Sequence, residues 1–169
     1  QTVLGEFALL PLVVGEASAD DVAEVIERLW GGPETLIVIS SDLSHYLPYD
    51  EARRIDGATA QAIVGFDTRI SHAQACGATP LAGALLAARR RGLTASPLDL
   101  RNSGDTAGGR NRVVGYGSFA FAEGLGVFGD THGKALLGLA RSAIGAALGF
   151  NAPPEHPPEP WWRELRATF

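Results

Sequence analysis

Methionine is absent from this chain, cysteine occurs once, and lysine occurs once against thirteen arginines. The single thiol, Cys76, excludes an internal disulfide framework. A zero methionine count behind Gln1 is expected of a fragment whose natural start is missing or removed. The preference for arginine, with many alanines and 21 glycines, is expected of a high-GC bacterial gene. No apolar run approaches the roughly 18 residues of a membrane span, and no signal-peptide pattern is visible. A soluble, cytoplasmic protein is therefore expected, with no membrane partner. An excess of basic charge is also missing: the net charge is −5, which argues against general affinity for nucleic acid. What is present is ordinary for a globular protein, 46% hydrophobic and 20% charged residues. A chain of 169 residues has room for one domain and part of another.

The most informative stretch is Leu36 to Asp50, LIVISSDLSHYLPYD. Its opening apolar run, rich in β-branched residues, suits a strand buried on both faces. The chemistry then changes at once to Ser40, Ser41, Asp42, Ser44, His45 and Tyr46. In open α/β sheets ligands bind beyond the carboxyl ends of the strands, so this is where a site is expected. Asp42, three residues before His45, has the spacing to orient the imidazole and fix its tautomer. The plainer alternative is a polar cap, with Asp42 or Ser44 satisfying loop backbone and His45 on the surface.

Around that stretch the pattern reads as α/β. Leu9–Val14 reads as a strand, with Pro11 pushing it towards a sheet edge. An amphipathic helix follows from Ser18 to Trp30, capped by Ser18, with Val22, Val25, Ile26 and Leu29 on one face. With the strand at 35–40 this makes a parallel βαβ unit the economical expectation. A second helix is expected over 50–66 with Asp50 as its N-cap, and Ile55, Ala58, Ala62 and Ile63 on its buried side. A third runs from Thr79 as N-cap, with Pro80 at the first helical position, to about Arg91 before Gly92. Leu93–Leu100 and Val113–Ala122 read as strands. The loop between them, Asn102–Arg112, is glycine-rich and arginine-flanked, but it matches neither phosphate-binding fingerprint and reads better as a hairpin connection.

Cys76 sits just before the third helix, where a thiol is available for metal or redox chemistry; the alternative is a small buried hydrophobe. His72 and Cys76 form an H-x-x-x-C pair, but two ligands fall short of a dedicated site. A hydrolase relay built from Ser41, Asp42 and His45 is disfavoured, because three residues so close on an extended loop cannot take all three roles.

The segments SSDLSHYLPYDEA, ACGATP (75–80) and NSGDTAGGRNRVVGYGSFAF (102–121) together resemble the Memo family, whose bacterial members are AmmeMemoRadiSam system protein B. The resemblance implies a fold similar to the class III extradiol dioxygenases of the LigB type: a central, mostly parallel or mixed sheet flanked by helices. It also implies that Cys76 is a metal ligand for Fe(II) or copper, completed by two histidines from segments that precede Gln1. His45 then resembles the acid/base histidine of the related dioxygenases, with Asp42 beside it. Ser41, Tyr46, Ser103 and Asp105 become expected substrate contacts. Residues 1–124 are expected to be the C-terminal portion of that domain, and 125–130 a linker. Residues 131–169, with a helix over about 132–148, resemble the truncated start of an AMMECR domain. The implied functions are redox or oxygen-linked chemistry on a small molecule, or a non-enzymatic adaptor that binds a ligand or peptide beside a radical SAM partner and the rest of the AMMECR domain.

Overall fold

The computed structural model describes residues 6–106 and 108–123, together with 138, 141–142, 145–146, 148–149 and the backbone of 165–168. Its first element, α1 (Ala19–Arg28), begins as the sequence dictates. Ser18 Oγ accepts from the Asp21 N–H at 3.1 Å, and the Asp21 carboxylate accepts from the Ser18 N–H at 3.0 Å. This closes a capping box, and the Ser18 hydroxyl, at 2.6 Å, and the Ser18 N–H, both donating to the Asp21 carboxylate, hold that carboxyl below the usual range. Val22 and Ile26 are buried, whereas Val25 and Leu29 are exposed.

α1 packs on α3 (Ala78–Arg90), whose small residues Ala82, Gly83, Ala84 and Ala87 are buried with Leu81 and Leu85. The approach is close: a Cβ on Gly83 would lie 2.3 Å from Val22 Cβ. Arg90 clamps the pair by reaching Asp20 at 2.5 Å and Glu27 at 3.4 Å. α3 starts two residues earlier than expected. Gly77 is its N-cap, no side chain caps it, and Thr79 and Pro80 lie inside its first turn. It ends at Arg91, followed by Gly92 at φ 68°, as the glycine predicts.

The sheet is built on β4 (Val113–Ala122). On one edge β4 pairs antiparallel with β3 (Thr94–Asn102), in register from Thr94 opposite Ala122 to Asn102 opposite Gly115. Its other edge is shared between β2 (His45–Leu47) near the start and β5 (Leu165–Thr168) near the end. β5 in turn pairs parallel with β1 (Ile37–Val38). Phe119 and Phe121 of β4 are buried against Ile63 of α2 (Tyr49–Val64) and Leu85 of α3. Phe66 meets Phe121 edge-on at 5.7 Å.

The chain is therefore α/β, with helices against a sheet that is mainly antiparallel; among the described residues only the β1–β5 ladder is parallel. Of the two sheet types expected, mostly parallel or mixed, the described strands form the mixed one. The βαβ unit is not formed. Among the described residues Leu9–Val14 has no ladder partner; its side chains are exposed, Val13 fully, except that Val14 packs partly buried against the core. The run 36–39 gives a strand of two residues, and Leu36 and Val38 are exposed rather than buried. Both segments carry strand-like apolarity without a neighbouring strand on their outer side to pair with. Asp50 is not a cap either: α2 begins at Tyr49 behind Pro48, with no side-chain cap bond. The linker at 125–130 and most of the helix over 132–148 lie outside the described residues, although Gly138, Arg141, Ser142, Gly145 and Ala146 are helical.

Candidate functional site

The chain leaves β1 and runs through Ser40–Ser44 across the N-terminal turn of α3, and two sets of bonds fix that crossing. On one side the Cys76 and Asp42 backbones meet, with the Cys76 N–H donating to the Asp42 carbonyl at 3.2 Å. The Asp42 N–H donates to Cys76 Sγ at 3.2 Å, and the Gly77 N–H donates to Ser41 Oγ at 2.9 Å. Gly77 is required here, because a Cβ would sit 2.8 Å from that of Ser41. On the other side Leu43 and Ser44 are stitched to Gly115 of β4, by Leu43 N–H to Gly115 O and Gly115 N–H to Ser44 O, both 2.8 Å. The buried Asp56 of α2 then accepts the Ser44 N–H at 2.9 Å.

These two anchors bring residues 34 positions apart into one group. One ligand atom each from Asp42, His45 and Cys76 lies within 4.8 Å of the others. His45 is on β2 rather than on a free loop, opposite Val114, and its side chain is about one-third exposed. Its Nε2 is 3.7 Å from Asp42 Oδ2, too long for a hydrogen bond but close enough for an ion pair when the ring is protonated. Cys76 is exposed, not the buried hydrophobe of the plainer reading. The donor set is one oxygen, one nitrogen and one sulfur. Such a set suits iron, copper or zinc rather than magnesium or calcium, which prefer oxygen alone.

The other expected site residues divide. Ser41 borders the group, with Oγ 3.7 Å from Cys76 Sγ. Tyr46 follows His45 with the rings 5.9 Å apart, and it is exposed and held at φ 60°, a strained conformation for an aromatic residue. Ser103 and Asp105 have structural work in the β3–β4 connection. Ser103 Oγ accepts from the Val114 N–H at 3.1 Å. Asp105 accepts the Tyr49 O–H at 2.5 Å and the Asn102 N–H at 2.9 Å, and these bonds hold its carboxyl below the usual range. The same contact pushes the Tyr49 phenol above its ordinary value. His72 stays out of the metal group. Its ring nitrogens lie 3.2 Å from the Cys76 carbonyl and 3.1 Å from Thr79 Oγ1, so it braces the turn that carries Cys76. A shallow cleft of about 240 Å³ lined by Ile70, His72, Thr79 and Ala82 holds none of the three donor atoms.

Sequence reasoning missed Asp56, although a signal was present. It stands on the same helical stripe as Ala52, Thr59, Ala60 and Ile63, so it is a carboxylate at a core-facing position. Missed too were the stacking of Arg112 on Tyr46, the tyrosine beside His45, and of Arg53 and Arg110 on Tyr49.

Comparison with known proteins places this geometry in context. Residues 1–120 match the family of Memo-like proteins. A MEMO1 family protein of Aeropyrum pernix is 37% identical over 124 residues, 66% of this chain and 44% of the relative. One from Archaeoglobus fulgidus is 30% identical over 128 residues, 69% of this chain and 49% of the relative. A third, from Aquifex aeolicus, is 34% identical over 122 residues. The chain spans just under half the length of these relatives. No solved structure matches it. With 120 of its 169 residues matched, the chain belongs to the Memo-like protein family.

Proposed function

We propose that Asp42, His45 and Cys76 form one wall of a transition-metal site that performs redox or oxygen-linked chemistry on a small molecule. One observation carries the reading: three donor atoms of different chemistry, from separate elements, converge within 4.8 Å. A thiolate favours copper(I) or iron over hard cations, and a bound metal of that kind would supply electron transfer or Lewis acidity. Cys76 would hold it, and the Asp42 N–H keeps the sulfur aimed at the group. His45 would move a proton at Nε2, with the Asp42 carboxylate stabilising the imidazolium from 3.7 Å. Cys76 would supply one ligand, with Asp42 and His45 beside the metal as the acid/base pair, and by the family resemblance two histidines outside this chain would supply the others. The resemblance of 131–169 to an AMMECR domain extends the proposal to an AmmeMemoRadiSam-type assembly.

Metal content measured by mass spectrometry tests this on the full-length parent purified anaerobically, beside its Cys76→Ser variant. Stoichiometric iron or copper lost in the variant is the expected result. A parent free of metal, with His45 and Cys76 intact, would sink the proposal.

A further inference from the structure

The net charge of the chain is −5, yet three guanidinium groups stack on two tyrosines, one of which, Tyr46, stands beside His45. Arg112 lies over the Tyr46 ring at 4.9 Å, Arg110 over Tyr49 at 4.4 Å, and Arg53 beside Tyr49 at 5.8 Å. Elsewhere Arg28, Arg69, Arg90 and Arg101 each hold a carboxylate. Among the described residues none of the three stacked arginines has an ion pair. Asp105 lies close enough to Arg53 and Arg110 to feel both charges, and its oxygens are already engaged by Tyr49 and Asn102. Two more carboxylates, Asp50 and Glu51, stand in the first turn of α2. Ring stacking orients a guanidinium without using its five N–H donors, so each arginine keeps its fork free for an oxyanion.

A second observation points to the same place. Tyr46 is exposed and strained at φ 60°, and its ring stands next to that of His45. Strain in an exposed aromatic residue persists where it serves a contact. Arg112 and Tyr46 therefore join the arginine patch to the imidazole.

We propose that Arg53, Arg110 and Arg112, with Tyr46, bind the anionic group of the substrate, a carboxylate or a phosphate, and so orient it towards His45 and Cys76. This rests on the metal-site reading and adds the substrate class to it. A forked guanidinium matches either oxyanion bidentately, and the basic patch would draw such a ligand to an otherwise acidic protein.

The test is titration of the intact chain at low ionic strength with inorganic phosphate and, separately, with succinate, following backbone amide shifts. The expected result is saturable shifts at Tyr46, Tyr49 and 110–114. Arg112→Gln should weaken binding about tenfold, the loss of one charge-assisted contact, while Arg89→Gln at the far end of α3 changes nothing. Tighter binding of phosphate assigns a phosphorylated substrate, and tighter binding of succinate a carboxylic acid. Shifts that never saturate, or equal weakening by Arg89→Gln, overturn the proposal. Metal content of the corresponding full-length variants separates the two readings. Absent anion binding with normal metal loading overturns this inference alone. Anion binding without metal loading overturns the metal reading, and with it the anion's role as substrate.

Discussion

Gly115→Ala adds a single methyl group, and the structure gives it no room. A Cβ there would lie 2.0 Å from Asp56 Oδ2, 2.5 Å from Cγ and 2.8 Å from Oδ1. The whole Asp56 carboxylate is in the way, and it is buried, at 2% exposure. Gly115 does not have a positive φ, so the penalty is steric rather than conformational. Overpacking of a buried site costs about 1–3 kcal/mol. Pushing Asp56 aside also strands the buried Ser44 N–H, worth about 1–3 kcal/mol more. The two costs share one displacement and do not simply add, so about 2–4 kcal/mol is expected in all. For a chain of this size that is a fall in Tm on the order of 10 °C, measured by circular dichroism. The variant should also load less metal in the full-length protein, because Gly115 and Asp56 together fix the backbone entering His45. A double-mutant cycle sharpens the test: in an Asp56→Ala background the cost of Gly115→Ala should largely vanish. A Tm unchanged by Gly115→Ala, or an equal loss in both backgrounds, would refute the reasoning.

Two further predictions concern Tyr49 and the helix pair. The Tyr49–Asp105 hydrogen bond raises the phenol and lowers the carboxyl relative to their ordinary values. Its contribution is therefore complete at neutral pH; it is lost in acid as pH falls through the depressed Asp105 value, and in base as pH rises through the raised Tyr49 value. In Tyr49→Phe the Asp105 carboxyl should titrate closer to its ordinary value near 3.9, as followed by carboxyl carbon shifts, and an unmoved titration would rule the bond out as the cause. Gly83→Ala should destabilise α1–α3 packing by about 1–3 kcal/mol, more than the helix propensity gained, because its Cβ would strike Val22 at 2.3 Å. Denaturant unfolding checks this: because the clash includes Val22 Cβ, Val22→Gly should make the added cost of Gly83→Ala largely vanish whereas Val22→Ala should not, and a stabilised Gly83→Ala single variant would contradict it.

Local signals in the sequence were sufficient wherever the deciding interaction is itself local. Ser18 with Asp21 specified the start of α1, Gly92 ended α3, and alternating apolar residues marked β4 to its observed bounds. The spacing of Asp42 and His45 likewise pointed to two members of the candidate group, because a change from apolar to polar at a strand end is legible in one dimension. Pairing decided the rest. Leu9–Val14 has the composition of a strand but pairs with no strand among the described residues, and a strand exists only with a neighbour to bond. The direction of the sheet followed from which strands met β4, which no single segment encodes. Tertiary structure alone joined Cys76 to Asp42 and His45, aimed Asp56 at Ser44, and stacked Arg110 and Arg112 on tyrosines over fifty residues earlier. Periodicity records which side of an element is buried; the partner it is buried against depends on how distant segments pack.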